Sequence, residues 1–459
     1  MLTLIRAEIM GNRLGVVAPM VANAIVSALT ALAIYFLLSA NSSRGLAQLA
    51  AGGPRAANLI QQLTVFLFIA GVILPGLITL IAVAAASVER HRTSYARWRL
   101  VGASPRQVSL VVIAQFGLGA AVASLIGALL AILFLGASSS YLLSVTDFGV
   151  DLTVAPSLSG LLWTVGLSTA VTLIGAAGPA LRIGRVQPIE ALRLDERVKV
   201  RMTWLRWALA ALAMLSCAFT ATSAISESST GPASSAVLLS GVSLLVALAA
   251  VAPVLVPRLT LFWSAVMPAR LSVAWYLARH QAAHRMSSTT AAVVPLGLAV
   301  GLFAVYFSAA ATWEAAVGAS SEDSRSNAVQ GLVLFAPAGV IGICGSLAVL
   351  ILASHESRRE GALVRSIGAR RSDLIRLPIL ECVIHTGTAL LLGLLASVFS
   401  TLVYSVSLVV NTGTWTFVLD PVPSLAMAGI GLVSLAATLA VPRLIALRAD
   451  LIQDLGRVR

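Results

Sequence analysis

Side chains able to do chemistry are sparse inside the apolar stretches of this chain. Glu381 is the one acidic residue well inside an apolar run, and His385 follows it one helical turn later on the same face. A carboxylate beside an imidazole can pass a proton, and the pair could also offer two ligands to a metal. A metal needs more ligands than this pair, and the sequence nearby supplies none, so no metal site is expected. An intramembrane carboxylate is costly and marks a site by default; the other reading is a structural anchor near the interface, paired with Arg376. His280 and His284 also have i, i+4 spacing, on a stretch that an exposed elbow helix explains better than a metal site. Cys217, Cys344 and Cys382 lie in apolar runs, which excludes a disulfide scaffold. Nothing matches G-x-x-x-x-G-K-[ST], and the single lysine, Lys199, is outside any Gly-rich loop. The chain therefore cannot build a phosphate cradle, and no catalytic residue is expected in it.

The elements that must hold these residues follow from composition. Of 459 residues, 58% are hydrophobic and 11% charged, against about 25% charged in soluble domains. The mean hydropathy is +0.95. A water-soluble fold and a disordered chain are both excluded, which leaves an all-α polytopic membrane protein. Crossing a bilayer takes about 20 mostly apolar residues. Ten stretches qualify: 15–38, 63–88, 108–135, 158–181, 205–225, 236–256, 289–311, 333–353, 377–410 and 425–441. The ninth is too long for a perpendicular span and must tilt or project. The first is too long and too late for a secretory signal.

The 31 Lys and Arg residues test this count. The N-terminus, the loops 89–107, 182–206, 258–287 and 355–376, and the tail from Arg443 hold 28 of them, and only Arg44, Arg55 and Arg325 fall elsewhere. Basic residues mark the cytoplasmic side, so ten spans with both termini cytoplasmic fit. The net charge of +13 is then topological, and nucleic acid is not an expected partner. All eight Trp fall near a helix end or in a cytoplasmic segment, as interfacial anchors do. Thirty Arg against one Lys suit a GC-rich bacterial genome, and the expected location is a bacterial plasma membrane.

The chain also repeats itself. Segments 88–135 and 354–401 align without gaps: Arg92 with Arg358, Arg99 with Arg365, Val101-Gly102-Ala103 with Ile367-Gly368-Ala369, and Gly127 with Gly393. Upstream, Ala70-Gly71-Val72-Ile73 recurs as Ala338-Gly339-Val340-Ile341, and Tyr35-Phe36 as Tyr306-Phe307. Two four-helix units follow, 1–200 and 270–459, joined by a hairpin of spans five and six at 201–269. An even number of intervening helices keeps the units parallel, giving a 4+2+4 arrangement.

Each unit carries a charged loop between its second and third helices, 89–104 and 355–370, with helix-forming residues and a Gly terminator. The apolar faces are Trp98 with Val101, and Leu363, Val364 with Ile367. Such a short helix suits the groove of a soluble partner. The plainer reading is a basic loop that only fixes topology, but topology does not require the Gly-Ala turn twice. Small residues at four-residue spacing, Gly119, Ala123, Gly127 and Ala338, Gly342, Ser346, suggest close helix approach. Pro75, Pro295, Pro337 and Pro378 can kink their helices.

These residues resemble the FtsX-like permease family, the membrane subunits of type VII ABC transporters. The family loop runs as arginines, a glutamate, an apolar stretch, an arginine and Gly-Ala-Ser. Arg358, Arg359, Glu360, Ala362, Leu363, Arg365, Ile367, Gly368 and Ala369 fit it well, while the first unit keeps Arg92, Arg99, Gly102, Ala103 and Ser104 but has Ser94 in place of the glutamate. Pro188-Ile189-Glu190-Ala191-Leu192-Arg193 matches the box after the family's fourth helix, and its second copy, from Leu451 to Leu455, is degraded. Glu381 matches a typical glutamate of the third helix, replaced by Gln115 in the first unit.

The resemblance implies a permease without ATPase activity of its own. The coupling residues would be Arg92, Arg97, Trp98, Arg99, Gly102 and Ala103, with Arg358, Arg359, Glu360, Leu363, Arg365, Gly368 and Ala369. They would press on two copies of a separate ATP-binding subunit, which would hold ATP and Mg. The outside loops 39–62 and 312–332 are too short to fold as domains, so roles that need a large external domain are disfavoured. What remains is export or extraction of an amphipathic substrate, such as an antimicrobial peptide or a membrane lipid. Two rivals stand beside it. One is a proton-coupled secondary transporter using Glu381 and His385; the other is a signalling permease that relays ATPase state to a kinase or a cell-wall enzyme.

Overall fold

The computed structural model describes residues 13–51, 67–91, 95, 98–100, 102–146, 153–183, 202–226, 235–266, 273–284, 286–366 and 371–456; at several helix ends, 354–366 and 441–456 among them, it describes the backbone alone. These residues form twelve α-helices and one π-helical stretch, with no strand among them. In chain order they are α1 (Arg13–Ala40), α2 (Ser43–Ala51), the π-helix Leu67–Ile73 running into α3 (Leu74–Arg90), α4 (Pro105–Thr146), α5 (Leu158–Ile183), α6 (Trp204–Ser226), α7 (Ser235–Ser264), α8 (Val273–His284), α9 (Met286–Val317), α10 (Ser321–Ser366), α11 (Arg371–Thr412) and α12 (Val422–Gly456). All but α2 and α8 are long and apolar enough to cross a membrane, ten spans in all, and each overlaps its expected stretch.

Several helices outrun their apolar stretches. α4 and α11 are both 42 residues, and their first and last residues lie 266 positions apart. At 1.5 Å per residue each is about 63 Å long, roughly twice the hydrocarbon thickness, so both must project from the bilayer. The extension of α4 past 135 contains Ser138, Ser139, Ser140 and Ser144. Each hydroxyl donates to the carbonyl three residues back, so these polar groups are satisfied within the helix. The supposed outside loop 312–332 is also mostly helical. α9 runs to Val317, Gly318 turns at φ +67°, and α10 begins at Ser321. Ser320 and Asp323 form a reciprocal capping box (the Ser320 N–H donates to Asp323 Oδ2 at 3.2 Å; the Asp323 N–H donates to Ser320 Oγ at 3.3 Å). Glu322 and Asp323, in the first turn, complement the positive end of the helix dipole.

The packing repeats as the sequence does. α4 lies against α1 and α5, and α3 against α5; likewise α11 lies against α9 and α12, and α10 against α12. Between the two sets, α10 packs on both α1 and α3, and α3 packs on both α9 and α10. The contact of α1 with α10 has its counterpart in that of α9 with α3. Such reciprocity marks a two-fold-like interface with α3 and α10 at its centre. The seam there is close. A Cβ on Gly71 would lie 2.7 Å from the Leu334 carbonyl oxygen, and one on Gly345 would collide with the Thr79 side chain.

The α6–α7 hairpin breaks this symmetry. It packs on α9 and α11, with no comparable contact on the first four spans among the described residues. Hydroxyls fasten it: Ser400 Oγ donates to the Val237 carbonyl (3.3 Å), Ser407 Oγ to that of Ala224 (2.6 Å), and Trp263 Nε1 to Thr388 Oγ1 (2.9 Å). Wrapped by α3, α7, α10, α11 and α12, α9 is 94% buried over its apolar window and forms the core. A helix apolar all round is expected to be internal.

The small-residue stripes divide. Gly342 and Ser346 sit against α9: a Cβ on Gly342 would be 2.6 Å from the Pro295 carbonyl oxygen, and Ser346 Oγ donates to the Ala292 carbonyl at 2.7 Å. Gly127 touches the backbone of Ala24 in α1, and a Cβ on Gly393 would be 3.0 Å from Gly301 in α9. Gly119 departs from the expectation, since nothing lies within 4 Å of a Cβ placed there. With no contact to relieve, Gly119→Ala should stabilise α4 by about 0.4–1 kcal/mol through helix propensity and unfolded-state entropy. A raised thermal midpoint of the purified chain would bear this out. Of the prolines, Pro75 follows directly on the π-helix, whereas Pro295, Pro337 and Pro378 lie inside unbroken helices.

Candidate coupling surface and buried polar pair

Both charged loops lie at one end of the bundle, where α3 ends and α4 begins and where α10 gives way to α11. In the first loop the chain turns at His91, whose Nδ1 is 2.8 Å from the Ser87 carbonyl oxygen. Tyr95 and residues 98–100 are helical. The Gly102 N–H bonds the Arg99 carbonyl (3.1 Å) and the Ala103 N–H bonds that of Trp98 (3.0 Å). This is the double bond of a Schellman stop, and Gly102 holds the φ of +101° that it requires. Ser104 starts α4 at once: its N–H donates to Gln107 Oε1 (2.9 Å), its Oγ accepts from the Gln107 N–H (3.3 Å), and Pro105 fills the first helical position. The Gly-Ala-Ser-Pro turn is thus fixed by its own backbone bonds.

Trp98, the described member of this loop's expected apolar face, packs inward, which changes what a partner can touch. Tyr95 is fully buried with Val88, Val108, Val112, Ala176 and Ala180, and Trp98 and Ala103 pack against the same cluster. Trp98 meets Tyr95 edge-on, with centroids 5.3 Å apart. Trp98 therefore ties the loop to the bases of α3, α4 and α5. Among the described residues of the loop, the exposed apolar side chain is Leu100, at 53% exposure. Neither Leu100 nor Tyr95 was among the expected coupling residues, although Tyr95 lies three residues before Trp98, the spacing of one helix face. Arg92, Arg97 and Val101 lie outside the described residues.

The second loop is built differently. α10 runs unbroken from Ser321 to Ser366, so Arg358, Arg359, Glu360, Leu363 and Arg365 lie on a continuation of the eighth span, with their side chains outside the description. A separate short helix was expected here. The chain after α3 instead breaks at His91, and no such break interrupts α10. Gly368 and Ala369 lie outside the described residues.

Glu381 and His385 are 7% and 2% exposed in α11. Neither ring nitrogen of His385 has a hydrogen-bond partner. Glu381 makes no pair with Arg376, which is exposed. A five-residue step turns about 140° around a helix, so the two point apart. At the position equivalent to Glu381, Gln115 has a buried Oε1 without a partner, and Gly119 stands where α11 has His385. The polar pair therefore exists in one unit only.

α8 is the elbow helix before α9. Ala274, Trp275, Ala278 and Ala282 are its buried face, and Trp275 Nε1 donates to the Ser264 carbonyl at 3.2 Å. His280 is exposed, with its ring 4.0 Å from that of Tyr276 and its Nδ1 2.9 Å from the Tyr276 carbonyl oxygen. The side chain of His284 lies outside the description. Among the described residues no three His, Cys, Asp or Glu gather as a metal site.

Comparison with known families agrees with this geometry. The family model "FtsX-like permease C-terminal" matches residues 66–188 and again residues 332–451. Each match takes in three spans, α3 to α5 and α10 to α12, and the loop that precedes α4 or α11. No curated protein matches the chain. Members of the family are membrane subunits rather than enzymes. With the two matches covering more than half of its residues, in the register that α4 and α11 repeat, this chain belongs to the FtsX-like permease family.

Proposed function

We propose that the chain is the transmembrane subunit of an ATP-driven transporter, moving an amphipathic molecule in or out of a bacterial plasma membrane. Its units are 1–200 and 270–459 with the hairpin 201–269 between them, and its basic end, with both termini, faces the cytoplasm. One observation carries the reading: two 42-residue helices in register, each preceded by a basic loop at the same end, across a reciprocal α3–α10 interface. Two ATPase copies pressing on those loops would move one unit against the other. Because both units lie in one chain, a single permease would serve an ATPase dimer. The test is co-expression with the ATPase and reconstitution in vesicles. Copurification, and ATP hydrolysis stimulated by an amphiphile, support the reading; a chain that never binds an ATPase, or transports without one, overturns it.

The buried pair separates this reading from proton coupling. His385 has no hydrogen-bond partner to hand a proton on to. Glu381→Gln and His385→Gln should therefore leave ATP-driven movement within about twofold of the parent. A secondary transporter would instead run on a pH gradient without ATP and stop in Glu381→Gln. Vesicle flux with and without ATP decides between them.

A further inference from the structure

The hairpin and the elbow helix that follows it carry positive charge with no acid among it. From 228 to 313 the chain has no Asp or Glu, yet it holds Arg258, Arg270, Arg279 and Arg285. The other basic stretches each include an acid, among them Glu8, Glu89, Glu190, Glu356 and Asp450. Two of these arginines belong to the corner where α7 ends and α8 begins. Arg279 of α8 donates through Nη2 to the Leu261 carbonyl of α7 at 3.3 Å, which fixes its guanidinium there, and its buried Nε has no hydrogen-bond partner. Arg258 lies three residues before Leu261, and side chains so spaced start about 5–6 Å apart on a helix. It is exposed, with no hydrogen bond or ion pair among the described residues. Two guanidinium groups brought to one place repel unless an anion lies between them.

Depth decides what can supply the anion. α7 runs on from Arg258 to Ser264, so Arg258 lies about 9 Å up the span from its end. Phe262, one turn on from Arg258 on the same face, is 78% exposed, so this face meets lipid. Trp263 and Trp275, whose rings meet edge-on with centroids 6.1 Å apart, mark the headgroup level at this end. A soluble protein does not reach below that level. A phospholipid phosphate sits at it, and a long arginine side chain extends to meet it. A lipid of net negative charge suits a corner without an acid better than a zwitterionic one, whose amine the arginines repel. Basic pockets between spans are of the kind that holds anionic headgroups.

We infer that the corner between α7 and α8 binds the headgroup of an anionic phospholipid, with Arg258 and Arg279 as its two cationic contacts, in the leaflet on the side of the charged loops. The bound lipid fastens the hairpin to the elbow of the second unit. The first unit has no equivalent: in the register that pairs Tyr35 with Tyr306, Glu8 stands where the second unit has Arg279. The inference goes beyond the transport reading and does not depend on it.

The experiment titrates the full chain, purified in neutral detergent, with dioleoylphosphatidylglycerol or dioleoylphosphatidylcholine and counts bound lipid by native mass spectrometry. The parent should hold one phosphatidylglycerol about tenfold more tightly than phosphatidylcholine. Arg258→Gln with Arg279→Gln should weaken that lipid about 30-fold, the loss of two basic contacts. Arg258→Lys with Arg279→Lys keeps both charges and should retain most of the affinity. Arg106→Gln with Arg376→Gln removes the same charge from exposed sites at the same end and should change nothing. If the first double variant does not fold, Arg258→Gln alone, which removes no hydrogen bond of the described structure, should still cost about fivefold. Equal losses in the two glutamine pairs would show a diffuse field and overturn the inference, as would a parent that does not prefer phosphatidylglycerol. Displacement of the lipid by millimolar inorganic phosphate would show a free-anion site and overturn the lipid assignment. A glutamine pair that keeps its lipid but no longer copurifies with the ATPase would give the corner to that partner instead. Binding is read without ATP or flux, so failure here leaves the transport reading standing, and a chain that transports nothing can still pass.

Discussion

Glutamate at Arg99 and Arg365, combined with valine at Gly102 and Gly368, is expected to lower amphiphile-stimulated ATP hydrolysis by the reconstituted complex about 100-fold. Gly102 stands at φ +101° and closes the loop helix through two backbone bonds. A β-branched residue there is strained by about 1–3 kcal/mol, so the turn that sets the angle between the loop and α4 should open. Charge reversal then acts on what a soluble partner would meet. A contact residue at the centre of an interface typically contributes about 2 kcal/mol or more, and two such losses exceed the 100-fold effect. Because Trp98 is anchored inward by Tyr95, Leu100→Asp should reproduce part of the loss without loosening the loop. Hydrolysis and copurification measured together give the answer. Full copurification with undiminished stimulated hydrolysis in the fourfold variant would falsify the coupling assignment.

Gly345→Leu should abolish flux while leaving the ATPase bound. Even a Cβ at this position collides with Thr79 of α3, whose side chain is fully buried. Leucine must push α3 and α10 apart, and overpacking of this kind costs about 1–3 kcal/mol. These two helices are the centre of the reciprocal interface, so the whole cost falls on the contact between the units. The loops lie at the end of the bundle, away from the substitution, and should still engage the ATPase. Gly71→Ala should act the same way more weakly, its Cβ landing 2.7 Å from the Leu334 carbonyl oxygen. Unimpaired flux in Gly345→Leu would mean that the seam does not move during transport.

Much of this architecture was legible in the residues. Apolar runs near 20 residues located all ten spans, because a bilayer imposes one length scale on every crossing. The in-register pairs Arg99 with Arg365 and Gly127 with Gly393 fixed the duplication, and the helices they lie on keep the same offset at both ends. The Gly102 stop was legible too, since few residues but glycine tolerate its φ.

What the residues left open depended on contacts between helices distant in sequence. An amphipathic face states that something covers it, not what; hence the residues alone did not show that Trp98 packs edge-on against Tyr95. The i, i+4 glycine stripe could not tell Gly127, which touches α1, from Gly119, which touches nothing. Helix ends past the bilayer carry no hydropathy signal, so the 46-residue length of α10 emerged only from its capping box and its unbroken backbone. Above all, the two units are alike in sequence, and only tertiary packing decided that the hairpin would lie on one of them. The physical reason is that an apolar stripe is satisfied equally by lipid or by helix. The choice falls to small residues and hydroxyls whose partners, such as Thr388 for Trp263 or Ser407 for the Ala224 carbonyl, lie more than a hundred residues away.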